Sequence, residues 1–213
     1  AQPQAPVLIL PRVFEPDFCR LLIKVFESQG GEDSGYMKNE GGKIHGVIDY
    51  RVKRRSDCLI EDEDLRRAIG RRILDRLNPE LHRVFRFRAT RMERYLIACY
   101  DSTVGGYFRP HRDNDGDGHR QFAVTLNLNA EEYEGGDLRF PKYGLQTYRA
   151  PTGGACIFSC GLMHEATPVT LGRRYAFLPF LYDEAAANLR ESHNDRYVDP
   201  AHHYRYQGGG TSS

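Results

Sequence analysis

GGYFRPHRDNDGDG, the stretch at residues 105–118, places His111 and Asp113 one residue apart and directly before a run of turn-forming residues. Side chains at positions i and i+2 of a β-strand point to the same side of the sheet. One imidazole and one carboxylate can therefore converge on a single metal ion at the end of a strand. Because an H-x-D triplet is a weak signal by itself, the rest of the sequence has to supply another ligand and a fold that brings it close.

A second histidine that suits this role is His164, which lies in GLMHEATPV (161–169) and begins a β-like run of its own. Two histidines and one carboxylate on one face of a metal ion leave further coordination positions open. That facial arrangement is typical of non-haem Fe(II) oxygenases. The rival interpretation is that His111 and Asp113 form a simple hydrogen-bonded pair.

The following strand candidate, RRYAFLPFLY (173–182), begins with two arginines. An arginine that points inward on an apolar strand needs an anionic partner, because an unpaired buried charge is costly. Its planar guanidinium matches a carboxylate through two parallel hydrogen bonds. Strand alternation turns one of Arg173 and Arg174 inward and the other outward, but it does not choose between them.

Short β-rich segments fill the second half of the chain, and glycine-rich turns such as EGGD and PTGG separate them. The strand candidates are residues 92–100, 121–128, 137–140, 145–149, 154–159, 163–169 and 173–182. This pattern predicts a mainly β protein with flanking helices, in which a double-stranded β-helix (jelly-roll) barrel forms the core at 90–183.

The first half of the chain is expected to support that barrel with helices, over residues 14–86. Apolar residues at helical spacing predict helices at 16–28 and 62–77, and a turn or helix follows at 79–85. Residues 30–46 are rich in glycine and polar residues and are expected to form a loop, with a strand at 47–55. We expect a single domain at 1–183 and a tail at 184–213 that begins as a helix and ends in disorder.

The composition narrows the class of protein. With 213 residues, 40% hydrophobic and 28% charged, and a formal net charge of +1, the chain has the composition of a globular protein, and nucleic acid is disfavoured as a partner. The short basic run at 51–55 is interpreted as a solvated face. No stretch reaches the ~20 apolar residues of a membrane span, and the first residues lack the features of a secretory leader.

Five cysteines, an odd number without a CxxC pair, make a disulfide framework an unfavourable interpretation. A reducing compartment is expected, and the cytoplasm is the predicted location. Cys156 and Cys160 flank apolar residues, so we interpret them as small buried hydrophobic residues rather than a redox pair.

The stretch 95–183 resembles the 2-oxoglutarate/Fe(II) oxygenase superfamily and, within it, the prolyl 4-hydroxylase-like group that includes the oxygen-sensing prolyl hydroxylases. Six motifs carry this resemblance, in the family's order: ACY at 98–100, GGYFRPHRDN at 105–114, DGDG at 115–118, LN at 128–129, GGDLRF at 135–140 and HEATPVTLGRRYA at 164–176. The first ninety residues share only the family's layout of helices before the barrel.

The resemblance implies an oxidoreductase, a dioxygenase that uses Fe(II), 2-oxoglutarate and O2, with ascorbate as a further cofactor. His111, Asp113 and His164 would be the catalytic iron ligands. Arg174, rather than Arg173, would bind the C5 carboxylate of 2-oxoglutarate.

Four further positions follow from the same resemblance. Tyr100 matches a tyrosine whose hydroxyl faces the cosubstrate pocket, and Tyr107 lies at the mouth of the metal site, where the substrate binds. One position departs from the family: where several prolyl hydroxylases have a tyrosine that helps to hold the C5 carboxylate, this chain has Asn127. Its amide, or Thr125 on the same strand face, is the candidate for that second donor.

The expected reaction is hydroxylation of a carbon centre, with a prolyl side chain of a protein or peptide as the first candidate substrate and a small molecule as the other. Two alternatives remain open at this point. One is a cupin-like metal dioxygenase or isomerase that does not use 2-oxoglutarate, and the other is a non-catalytic binding module on the same barrel. A nucleic-acid demethylase on this barrel is disfavoured by the weak net charge.

Overall fold

A computed structural model describes residues 4–115 and 118–204 of the chain. Its helices are α1 (Pro16–Gln29), α2 (Glu63–Arg72), α3 (Asn78–Phe85) and α4 (Glu184–Ser192). Its strands are β1 (Leu8–Leu10), β2 (Glu32–Asp33), β3 (Tyr36–Glu40), β4 (Lys43–Val47), β5 (Lys53–Arg54), β6 (Ser56–Leu59), β7 (Arg91–Glu93), β8 (Leu96–Asp101), β9 (Tyr107–His111), β10 (Phe122–Asn127), β11 (Glu134–Gly135), β12 (Leu138–Arg139), β13 (Thr147–Tyr148), β14 (Ala155–Ser159), β15 (His164–Ala166), β16 (Val169–Leu171), β17 (Arg173–Phe177) and β18 (Phe180–Tyr182).

Two antiparallel sheets form the centre of the molecule. The larger one has the order β1-β14-β10-β17-β8-β6-β2, with β18 and β7 paired beside β10, and the smaller one has the order β13-β12-β15-β9-β5. The sheets face each other, because Ala98 and Tyr100 of the larger sheet share a core cluster with Phe108 and Ala166 of the smaller. The mainly β prediction with flanking helices is confirmed. Among the described strands, hydrogen bonding leaves these sheets open and does not close them into a barrel.

The helices of the first half support the larger sheet from its outer face. Helix α1 begins with Pro16, a residue that suits the first helical turn, and buries Phe18, Leu22 and Phe26 on one side. These side chains join Phe177 of β17 in the largest core cluster. Full burial of a side chain such as Leu22 contributes about 2 kcal/mol, so the helical stripe predicted from the sequence is a packing feature.

The expectation of a loop at 30–46 is wrong. Strands β3 and β4 pair there as an antiparallel hairpin, and Gly41 and Gly42 form its turn with positive φ angles of 59° and 86°. Ile44 of this hairpin is 1% exposed, and its carbonyl accepts a hydrogen bond from the Val198 amide of the C-terminal segment, at 2.9 Å. Exposed polar residues on both faces of most of the hairpin hide the β pattern in the sequence.

The predicted helix at 62–77 is confirmed as a helical segment over 63–77, but it is not α-helical throughout. Helix α2 ends at Arg72, a π-helical turn covers Ile73–Leu77, and α3 follows with Pro79 in its first turn. The helical start of the tail is confirmed by α4, while the residues expected to be disordered at 205–213 lie outside the described part of the chain. Within the described part, no helix is both long and apolar enough to cross a membrane.

The strand β17 is held in place by a buried side chain at the end of β10. Asn129 is 4% exposed. Its amide nitrogen donates to the Arg173 carbonyl at 2.8 Å, and its amide oxygen accepts from the Tyr175 amide at 2.9 Å. These two bonds flank Arg174, so Asn129 fixes the backbone from which that arginine projects.

Replacing Asn129 with alanine should lower the free energy of unfolding by about 2 kcal/mol, because two buried backbone groups lose their partner. Denaturant-induced unfolding followed by circular dichroism measures this difference. Asn188→Ala, at an exposed position of α4, is the control and should change the free energy by less than about 0.5 kcal/mol. Equal stability of the two variants would contradict this account of Asn129.

Candidate active site

The pairing of β9 with β15 brings the two predicted metal-binding histidines together. His111 ends β9, His164 begins β15, and the two residues are direct partners in the antiparallel register. Asp113 follows β9, and its backbone amide donates to the Cys160 carbonyl at 3.1 Å. The sheet, rather than a flexible loop, therefore sets the relative position of the three side chains.

The three side chains present one ligand atom each to a common point. The Nε2 atoms of His111 and His164 lie 3.5 Å and 3.3 Å from the two carboxylate oxygens of Asp113. One ligand atom from each residue can be chosen so that all lie within 4.8 Å of one another. This spacing and donor set suit a single divalent ion with imidazole and carboxylate ligands.

Backbone contacts orient both imidazole rings for this role. The Nδ1 atom of His111 lies 2.7 Å from the Arg109 carbonyl, and that of His164 lies 2.9 Å from the Leu162 carbonyl. A carbonyl only accepts, so Nδ1 carries the proton in each ring and the lone pair of a neutral ring is on Nε2. Both rings thus direct their free nitrogen at Asp113.

The charges of this cluster are set by burial and mutual attraction. Burial raises the pKa of Asp113, but the two histidines outweigh it and hold that pKa well below its usual range. Burial lowers the pKa of His164, but Asp113 outweighs this effect and the net shift is upward. For His111 burial dominates and its pKa is lowered. Asp113 is therefore an ionised acceptor, as a metal ligand has to be.

Arg174 points into the same cavity from the larger sheet. It is 2% exposed, and it stands opposite Tyr100 in the register of β17 with β8, with its Cζ atom 5.0 Å from the Tyr100 ring centre. No described residue supplies a hydrogen-bond acceptor to its Nε or Nη1 atoms. Arg173, in contrast, is exposed and paired with Asp101 at 2.7 Å. The inward arginine is therefore Arg174.

The room for Arg174 depends on a glycine in the GGDLRF motif. Gly136 has a φ of 67°, and a Cβ atom there would lie 3.1 Å from Cδ of Arg174 and 2.7 Å from a methyl group of Val169. Tyr133 packs beside it, close enough for Arg174 to act on the pKa of its hydroxyl, and that buried hydroxyl has no acceptor among the described residues. A guanidinium and a hydroxyl left without acceptors in a buried place fit a carboxylate ligand, because leaving both unsatisfied would be costly.

The structure brings most of the predicted site residues together. One cavity is lined by His111, Asp113, His164, Arg174, Tyr100 and Thr125, and by the apolar side chains of Phe108, Leu138, Phe158, Ala166 and Leu178 among others. The candidate metal ligands and a buried cation thus share one cavity, which apolar side chains line in part.

Two predicted site residues lie away from this cavity. Asn127 is buried deeper on the strand of Thr125, and its amide donates to the Ala150 carbonyl at 2.7 Å. Tyr107 is not part of the lining, and its hydroxyl donates to the Tyr50 carbonyl at 2.7 Å. Of the two candidates for the second donor, only Thr125 lines the cavity.

The interpretation of residues 51–55 as a solvated face is wrong. Lys53 and Arg55 are 3% and 8% exposed. The Lys53 ammonium donates to the Gly35 carbonyl at 2.6 Å, and Arg55 pairs with Asp57 at 2.6 Å while lining the cavity. The signal in the sequence was an arginine and an aspartate at positions i and i+2, which share one face of an extended chain.

Arg94 also lines the cavity, and nothing in the sequence pattern marked it. It lies between β7 and β8 with a φ of 67°, a left-handed conformation that is uncommon for residues other than glycine. Its position depends on this backbone turn and not on strand alternation.

Comparison with known proteins gives the family. Residues 95–182 match the model of the 2OG-Fe(II) oxygenase superfamily. A PKHD-type hydroxylase of Pseudomonas fluorescens is 35% identical over 188 residues, which cover 80% of this chain and 75% of that protein. The PKHD-type hydroxylase PiuC of Pseudomonas aeruginosa is 35% identical over 131 residues, which cover 55% of this chain and 56% of that protein.

Several solved structures of similar fold are prolyl hydroxylases. One, from Trichoplax adhaerens in complex with a peptide of the hypoxia inducible factor oxygen degradation domain, has a TM-score of 0.62 at 17% identity and covers 86% of each chain. A prolyl-4-hydroxylase of Pseudomonas putida has a TM-score of 0.60 at 17% identity and covers 85% of this chain and 94% of that chain. These likenesses confirm the jelly-roll fold.

The sequence similarity and the fold agree with the resemblance found in the motifs. The relative from P. fluorescens is similar enough, over enough of its length, to establish the family. Because the family's enzymes work with Fe(II) and 2-oxoglutarate, the same cofactors belong to this protein. The chain is an oxidoreductase of the 2OG-Fe(II) oxygenase superfamily, similar to the PKHD-type hydroxylases.

Proposed function

We propose that this protein hydroxylates a carbon centre of a protein or peptide substrate, with a prolyl side chain as the first candidate. In this proposal His111, Asp113 and His164 hold Fe(II), and Arg174 holds the C5 carboxylate of 2-oxoglutarate. The observation that carries it is the buried guanidinium of Arg174, whose Nε and Nη1 atoms have no acceptor among the described residues, in the cavity that also contains the three ligands.

The donor set fits the metal. Two neutral imidazole nitrogens and one carboxylate leave open positions for a chelating cosubstrate and O2. When bound, Fe(II) and 2-oxoglutarate supply the oxidising chemistry, in which O2 converts 2-oxoglutarate to succinate and CO2 and a C–H bond of the substrate to C–OH. The contacts of Nδ1 with Arg109 and Leu162 keep the ligand nitrogens in place.

The remaining lining residues orient the cosubstrate and exclude water. Arg174 fixes the far end of 2-oxoglutarate before the reaction, which lowers the entropic cost of reaching a productive geometry. Thr125 and Tyr100 are polar groups of the lining that can complete this contact, and the hydroxyl of Tyr133, beside Arg174, is a further candidate. Phe158, Leu138 and Leu178 add apolar surface to the lining and exclude water there, which strengthens electrostatic contacts within the cavity.

The substrate class is inferred from similarity, and the location from the cysteines. The PKHD-type relatives are hydroxylases by name, and one solved neighbour carries a peptide, which together favour a peptide over a small molecule. The described cysteines are free and buried, which supports a reducing, cytoplasmic location. Ascorbate, as a reductant that maintains Fe(II), belongs to the proposal on the family resemblance alone.

The function is tested by measuring succinate formation from 2-oxoglutarate in the presence of Fe(II), with and without a library of proline-containing peptides. Peptides that contain the substrate motif should stimulate turnover, and Asp113→Ala should abolish it because the metal loses its anionic ligand. Asp115→Ala, in the same loop but exposed, should retain turnover. Full turnover by Asp113→Ala would contradict the metal site. Stimulation by small molecules alone would show that the substrate is a small molecule and not a peptide.

Arg174→Gln should raise the KM for 2-oxoglutarate by about tenfold to a hundredfold, because a charge-assisted contact with the carboxylate is lost. The dependence of succinate formation on 2-oxoglutarate concentration measures it. Arg173→Gln removes the neighbouring exposed arginine and is the matched control, with an unchanged KM. Similar KM values for the two variants would show that the C5 carboxylate binds elsewhere.

A further inference from the structure

A second arginine reaches the cavity from another direction. Arg94 lines it together with the metal ligands, and Asp113 is close enough to act on the pKa of Arg94. The Arg94 side chain is 27% exposed, whereas that of Arg55, another arginine of the lining, is 3% exposed. The Cζ atom of Arg94 lies 5.3 Å from the centre of the Phe180 ring, which supports it from one side.

The backbone at Arg94 has a conformation that is uncommon for an arginine. Its φ of 67° lies in the left-handed region, which is unfavourable for a residue with a Cβ atom, and such strain is concentrated at functional sites. The Arg94 carbonyl accepts from the Leu96 amide at 2.9 Å, which closes a tight turn between β7 and β8. An arginine at this position is therefore held in a conformation that the local sequence does not favour.

The charges in the cavity balance without Arg94. The positive charges of Fe(II) and Arg174 are cancelled by the negative charges of Asp113 and the 2-oxoglutarate dianion. Arg55 is paired with Asp57 at 2.6 Å. Arg94 donates to the same Oδ2 atom of Asp57 at 3.5 Å, a longer contact than that of Arg55. Arg94 is thus an arginine of the cavity whose contact with a protein carboxylate is long and is shared with Arg55.

The neighbouring cations Lys53 and Arg120 are engaged within the protein and are not candidates for binding a further anion. Lys53 donates to Gly35 and Ser34, and burial, reinforced by Arg55, lowers its pKa well below the usual range. Arg120 is paired with Glu93 at 2.5 Å. Burial and the charge of Arg55 lower the pKa of Arg94 to about 10, so Arg94 stays charged at neutral pH.

We propose that the substrate carries a carboxylate and that Arg94 binds it beside the metal centre. This proposal rests on the proposed function, because it assumes that Fe(II) and 2-oxoglutarate occupy the cavity. The substrate carboxylate then neutralises the positive charge that they leave, which is that of Arg94. A guanidinium matches a carboxylate with two parallel hydrogen bonds. The carboxylate belongs either to a free amino acid or to an acidic residue next to the modified residue of a peptide.

The test uses pairs of compounds that differ only in this group: L-proline with L-prolinamide, and N-acetyl-Pro-Glu-amide with N-acetyl-Pro-Gln-amide. Two readouts are taken on the full chain. The first is the thermal unfolding midpoint with Mn(II) and 2-oxoglutarate, which reports binding without turnover. The second is succinate formation with Fe(II). The pair that shows a preference identifies the source of the carboxylate.

We expect the acidic member of one pair to be preferred by about tenfold in the concentration needed for half-maximal effect, and Arg94→Gln to remove that preference. Arg86→Gln is the matched control: Arg86 is also an arginine with positive φ, 56°, but it is exposed on the C-terminal end of α3. This variant should keep the preference of the wild type.

The outcomes separate this proposal from the proposed function. Equal responses to both members of every pair, including no response, would overturn the role of Arg94 while 2-oxoglutarate still stabilises the protein. A preference that survives in Arg94→Gln would overturn it as well, and so would an Arg94→Gln variant whose only defect is a raised KM for 2-oxoglutarate. Failure of 2-oxoglutarate to bind the wild type would instead refute the proposed function.

Discussion

The register that sets His164 opposite His111 is the constraint on which the site depends. A shift of one residue in this pairing would turn an imidazole to the other face of the sheet. The bond from the Asp113 amide to the Cys160 carbonyl, at 3.1 Å, ties the end of β9 to the segment that leads into β15. The ligand geometry is therefore a property of strand pairing, and side-chain contacts with backbone carbonyls only refine it.

The position of Arg174 is likewise set by the backbone, here on the larger sheet, but neighbouring side chains do not neutralise its charge. Its backbone is fixed by Asn129 and its side chain has room because residue 136 is a glycine. The candidate metal ligands His111, Asp113 and His164 attract one another, whereas no described acceptor satisfies two of the guanidinium nitrogens. The fold thus contains a buried cation whose desolvation is offset only when an anion binds, and that difference becomes binding affinity for the anion.

The sequence predicted the parts of the molecule that follow from periodicity. The apolar stripe of α1, the strands of the second half and the placement of His111 and Asp113 all depend on spacing along one segment, and the structure agrees with them. The β3–β4 hairpin was missed because its residues are mostly exposed and polar on both faces. The burial of Arg55 was missed because its partner, Asp57, is recognisable only when both are known to face the interior. Arg94 depends on one backbone angle, which no spacing encodes.

The three arginines of the cavity differ in how the protein neutralises them. Arg55, with a side chain 3% exposed, is paired with a carboxylate of the protein itself. Arg174, 2% exposed, has no such partner, and Arg94, 27% exposed, shares one at the limit of contact. A cation paired inside the protein stabilises the scaffold, and a deep unpaired one binds its ligand away from competing water. An accessible one exchanges its ligand readily. This gradient matches a cosubstrate that is seated in depth and a substrate that docks at the more open side.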